Sequence, residues 1–85
     1  MQEKLIGKVS HYFDKISVVA IKLEAELKAG DEVHFLGHGV DFTQVISSMQ
    51  MNNEEITSAV AGDEIGTKVD EKVKSETEVF LVEQE

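Results

Sequence analysis

The chain has 85 residues, with 17 Asp and Glu against eight Lys, no Arg, and a formal net charge of −9. A domain this small buries only about 60–65% of the surface its unfolded chain exposes, so a two-domain enzyme with a walled-off catalytic cavity is excluded. Cysteine is absent, which removes disulfides, thiolate nucleophiles, zinc–thiolate sites and iron–sulfur ligation together.

Surplus acid without Arg leaves little to neutralise phosphates, so RNA or DNA binding is disfavoured by the net charge. No apolar run reaches the roughly 20 residues of a helical membrane span. Met1-Gln2-Glu3-Lys4 opens no signal-peptide pattern. The expectation is a single cytoplasmic domain over residues 1–85, with an ordered core over about 4–82 and no membrane partner.

The apolar pattern is short and mostly alternating, which favours strands over helices. The first predicted strand is Leu5–Tyr12, closed by the turn Phe13-Asp14-Lys15. The second is Ile16–Leu23, with Val19, Ile21 and Leu23 facing the core, and the two read as a hairpin. Glu24–Ala29 is weakly helical by propensity but too short to stand alone, so it reads as a connection that drops Leu27 into the core.

The third strand is Glu32–Gly37, with Val33 and Phe35 on one side and Glu32, His34 and Leu36 on the other. Gly37-His38-Gly39 is a loop whose glycines permit positive φ. The fourth strand, Phe42–Met51, changes parity midway, and a bulge at Ser47-Ser48 would bring Phe42, Ile46, Met49 and Met51 inward. Asn52, with Glu55 three residues on, suits the start of a one- or two-turn helix burying Ile56, Ala59 and Val60. Strand five is Glu64–Val69, a charged turn spans Asp70–Glu76, and strand six is Glu78–Val82, before a frayed tail at Glu83–Glu85.

One string occurs twice: Ala29-Gly30-Asp31-Glu32-Val33 and Ala61-Gly62-Asp63-Glu64-Ile65. Each Gly lets the chain reverse and each Asp can bond nearby amides, so this is repeated turn chemistry. Six strands with such turns suggest an all-β fold, a small six-stranded antiparallel closed β-barrel that leaves no free edges.

Leu27-Lys28-Ala29-Gly30-Asp31-Glu32-Val33, then Val45–Met51, then Ala61-Gly62-Asp63-Glu64-Ile65-Gly66 resembles, in order and spacing, the second domain of translational GTPases such as elongation factor Tu. The resemblance implies the elongation-factor type of barrel, here as a translation elongation factor-like protein. A related barrel serves some peptidases as a C-terminal accessory domain. The GTPase half of that family is missing: no G-x-x-x-x-G-K-[ST] loop exists in the chain, so no GTP is expected. The family's strand end that holds the aminoacyl end of tRNA, E-M-x-R, matches Gln50, Met51, Asn52 and Asn53, where the acid and the Arg are both replaced by amides. Gln50, Asn52 and Asn53 remain a polar rim for a protein partner.

The second candidate cluster is His34, His38 and Asp41. On a straight strand His34 and His38 would stand roughly 13 Å apart, too far to share a zinc that needs ligands at about 2.1 Å. A bend at Gly37 with Asp41 or His11 as third ligand would be required, so surface histidines are the better reading. A catalytic pair of His38 and Asp41 would need Thr43 or Ser47 as nucleophile, and both are ordinary strand and turn residues. No catalytic residue, cofactor or metal is assigned. The main reading is a non-catalytic interaction module that binds a protein, translation-related by the resemblance, or weakly an RNA through the rim, which the net charge disfavours. The alternative is an accessory subunit or detached domain of an enzyme such as a peptidase or RNA-modifying enzyme. A small metal-dependent hydrolase ranks third.

Overall fold

A computed structural model describes residues 2–83. Its elements are ten strands: β1 (Gln2–Phe13), β2 (Val18–Leu23), β3 (Leu27–Lys28), β4 (Glu32–Gly37), β5 (Val40–Val45), β6 (Met49–Met51), β7 (Glu54–Ile56), β8 (Ser58–Ala59), β9 (Glu64–Lys68) and β10 (Glu78–Glu83). Eight form one antiparallel sheet in the order β5-β4-β10-β1-β2-β9-β6-β7, and β3 pairs with β8 in a separate ribbon. The all-β expectation holds, but the closed six-stranded barrel does not. β5 and β7 are the ends of the sheet, and no ladder joins them among the described residues. One side chain spans part of the gap: the Gln44 amide of β5 donates to the Lys68 carbonyl at 2.9 Å and accepts from the Asp70 amide at 3.0 Å.

The alternating strands sort as their sequence requires. Val19, Ile21, Val33, Phe35 and Val79 are fully buried, and Leu27 reaches the core from the β3 ribbon. Phe35 stacks on Phe42 at 5.1 Å between ring centroids. Burying a ring such as Phe35 contributes about 2–3 kcal/mol. Gly7 serves two ladders at once, pairing with Val79 on one side and Leu23 on the other. A Cβ there would stand 2.5 Å from the Lys22 carbonyl oxygen. Only glycine allows β1 and β2 to approach this closely.

The predicted fourth strand is broken rather than bulged. β5 pairs with β4, whereas β6 pairs with β9 and β7, so residues 46–48 carry the chain across to the far end of the sheet. The crossing is held by its own backbone. The Ile46 amide donates to Asp31, its carbonyl accepts from the Gly30 amide, and the Thr67 hydroxyl donates to the Ser48 carbonyl. Ile46 and Met49 are buried on either side of it, and Met51 is half-buried. The helix expected after Asn52 is absent. Asn52 and Asn53 both have positive φ, 55° and 66°, and link Met51 to Glu54 as the two central residues of a tight hairpin. Positive φ at both positions defines a type I′ turn, which Asn tolerates better than most residues. Of the expected helical stripe, Ala59 is buried in a strand and Val60 is exposed. Glu83 pairs with Gln2 instead of fraying, and Gln84 and Glu85 lie outside the described residues.

The repeated string performs one task twice. In Lys28-Ala29-Gly30-Asp31 the Asp31 amide donates to the Lys28 carbonyl at 3.1 Å, and the Asp31 carboxylate accepts from the Lys28 amide at 3.0 Å. In Val60-Ala61-Gly62-Asp63 both bonds recur at 3.1 Å. Gly30 and Gly62 have φ of 98° and 96°, the third-position geometry of a type II turn. Each Gly–Asp pair then clasps the backbone of one distant residue, Ile46 in the first case and Leu23 in the second.

Candidate functional site

His34 on β4 projects from the outer side of the sheet, the opposite side from Val33 and Phe35. Its Nδ1 lies 2.8 Å from Glu3 Oε1 and its Nε2 lies 2.5 Å from Asp41 Oδ1. Glu3 comes from β1, Asp41 from β5, and the ring also faces Phe80 of β10 at 6.4 Å between centroids. Ionised carboxylates only accept, so a ring with one at each nitrogen is satisfied only as imidazolium. The bond to Asp41, and then the bond to Glu3, raise the His34 pKa above its ordinary 6.5, against a smaller opposing effect of burial. The His34 side chain is 16% exposed, while Glu3 and Asp41 keep 41% and 72% of theirs in solvent.

Two of the three candidates in this cluster therefore meet, and the third does not join them. His38 is exposed and sits with φ of 55° beside Gly39 in the two-residue turn between β4 and β5. It borders a different feature, an open cleft lined also by Lys8, Gly37, Glu76 and Glu78. The carboxylates of Glu3 and Asp41 occupy opposite edges of the imidazole, so they cannot converge on one ion with it. No group of three candidate ligands is placed to hold a metal among the described residues. With both nitrogens engaged, the ring also offers no lone pair to Thr43, its cross-strand neighbour. Glu3 was missing from the sequence-level cluster. It is 31 residues away, and only the strand order β4-β10-β1 brings it close.

The rim residues Gln50, Asn52 and Asn53 are together on the β6–β7 hairpin. With Ala20, Glu64 and Gly66 they border a shallow depression. Glu64 is engaged there by the Ser10 hydroxyl at 2.6 Å. At the far end of the β1–β2 hairpin, Phe13 and Ile16 are 45% and 60% exposed, and the His11 ring lies against Phe13 at 4.5 Å between centroids, tilted by 58°.

With this geometry established, comparison with known proteins corrects the expected kinship. No family model matches the chain. An uncharacterized protease of Methanocaldococcus jannaschii is 31% identical over 80 residues, or 93% of this chain. The chain spans only 20% of that relative's length. Among solved structures, the C-terminal domain of a protein described as a U32 peptidase from Geobacillus thermoleovorans superposes with a TM-score of 0.88 at 22% identity, covering 94% of this chain and 93% of that one. Its selenomethionine variant gives a TM-score of 0.85 at 23% identity, with 89% and 96% covered. The chain has the fold of that C-terminal domain. The kinship with the second domain of translational GTPases, and the translation elongation factor-like identity built on it, are overturned. The Gly-Asp turns that suggested it are a local device, and such turns recur wherever a strand must be entered sharply.

No helix among the described residues is long and apolar enough to cross a membrane.

Proposed function

We propose that the chain is an accessory or detached domain of a peptidase, and that it works by binding a protein rather than by catalysis. One observation carries this reading. The segment shared with the archaeal protease is a fifth of that protein's length, and its fold is that of a domain set at the C-terminus of a U32 peptidase. A unit that is a small, terminal part of a larger enzyme is the kind of part that positions a substrate or a neighbouring domain. The acidic balance favours a protein partner over RNA. The reading calls for no cofactor, no GTP and no membrane.

The test is affinity purification of the tagged chain from extract of its own organism, with activity assays on the isolated chain. Stoichiometric recovery of a peptidase-class protein, and no peptide hydrolysis by the chain alone, is the expected result. Peptide hydrolysis by the pure chain would end the non-catalytic reading. Recovery of only non-peptidase partners would end the peptidase assignment.

A further inference from the structure

The side of the sheet that carries His34 is apolar at its centre. Antiparallel partners directly opposite each other share a face. Leu5 is opposite Phe80, Phe80 is opposite His34, and so these side chains form one row across β1, β10 and β4. Alternation along the strands adds Leu36, two residues from His34, and Val82, two residues from Phe80. Leu5 and Leu36 are each 37% exposed. Val82 is buried but stands outside the main core cluster. The apolar row is bordered by carboxylates from all four strands: Glu3 of β1, Glu32 of β4, Asp41 of β5 and Glu78 of β10. Lys8, opposite Glu78, and the His34 imidazolium are cationic groups among the described residues of the same face.

We infer that this outer face of β5-β4-β10-β1 is the docking surface for the protein partner, and that the partner meets it with an apolar patch bordered by Lys and Arg. The inference rests on the accessory-domain reading above and adds to it the place and chemistry of contact. Charge complementarity selects the occupant. A neutral surface seated on Leu5, Phe80 and Leu36 would strip water from the bordering carboxylates without replacing it, which costs free energy. Cationic side chains at the border offset that cost and speed encounter. A second copy of this chain is disfavoured because its own carboxylates would be set against these, and each copy carries a net charge of −9. Another exposed apolar feature, Phe13 and Ile16 at the hairpin tip, has one Asp and one Lys between them and no such charge pattern.

The experiment compares three tagged chains in native extract: wild type, the double variant Leu5→Lys/Leu36→Lys, and the tip variant Phe13→Lys/Ile16→Lys. Circular dichroism and thermal unfolding first establish that each is folded. The face variant should recover about tenfold less of the partner, and the tip variant should match wild type within about twofold. Raising the salt should weaken wild-type binding. Hydrogen exchange should show protection over residues 32–36 and 78–82 in the complex. If a peptidase-class protein is recovered equally by wild type and face variant, the docking inference fails and the accessory-domain reading stands. If a different protein is recovered and lost only in the face variant, the surface is right and the peptidase assignment is wrong. A wild-type chain that elutes alone, or as a homodimer dispersed by the face variant, overturns the inference.

Discussion

Replacing Gly7 with alanine tests the closest backbone approach in the fold. The added Cβ would lie 2.5 Å from the Lys22 carbonyl oxygen, 3.1 Å from Ile21 Cγ2 and 3.3 Å from Leu23 Cα. A carbon and a carbonyl oxygen rest at about 3.3 Å or more, so β1 and β2 would have to part by about 0.8 Å. The nearest clashing atom is backbone, so no rotamer change relieves it. Separation would lengthen ladder bonds beside Gly7 and loosen the burial of Ile21 and Leu23. A cost of about 2–3 kcal/mol follows from overpacking and weakened hydrogen bonds. At about 4–8 °C per kcal/mol for a domain of this size, the melting temperature should fall by about 10–20 °C. Gly66→Ala is the internal control. It also lies in a strand, but its Cβ would meet Val18 Cγ1 at 3.5 Å, an ordinary contact. It should be neutral or stabilising by up to about 0.5 kcal/mol. Thermal and urea unfolding of the two variants beside wild type decides the matter. A Gly7→Ala melting temperature within about 2 °C of wild type, or equal losses in both variants, would refute the steric argument.

Other outcomes follow from the same structure. Gly30→Ala and Gly62→Ala meet no atom within 4 Å but impose φ near +98° and +96° on an L-residue. Each should cost about 1–2 kcal/mol in urea unfolding, and clearly unequal costs would show that the two turns are not equivalent. Leu27→Ala removes a fully buried side chain and should cost about 2–5 kcal/mol; a loss below 1 kcal/mol would mean that Leu27 is not part of the core. His34 has a folded pKa above its ordinary 6.5, so the folded state holds the proton more tightly than the unfolded chain. The stabilisation it supplies is complete below about pH 6.5 and is lost as pH rises through the raised value. Discounted for the solvent around its partners, the advantage of wild type over His34→Gln should be about 1 kcal/mol at pH 5.5 and should shrink by pH 8.5. An advantage that does not change with pH would remove the imidazolium from the account.

Much of the local structure was legible in the residues. Alternation in Ile16–Leu23 and Glu32–Gly37 marked both strands and their buried sides, although the first begins only at Val18, because side chains alternate strictly along a pleated strand whatever lies beside it. The two Gly-Asp turns were legible for the same reason: the geometry they need is internal to four residues. The Asn52-Asn53 turn was misread as a helix cap. Asn serves both roles, and the choice fell to β9, which β6 joins at Met49 and Gln50.

Residue order and composition were enough to establish an acidic, cysteine-free chain of strands and the buried side of the alternating ones. The tertiary structure alone decided the strand order, and everything non-local follows from that order. It sends residues 46–48 across the molecule instead of around a bulge, leaves β5 and β7 as separate edges, and sets Glu3 and Asp41 on the two nitrogens of His34. A strand's own residues dictate which way its side chains point. Which strand lies beside it depends on the packing of the whole chain.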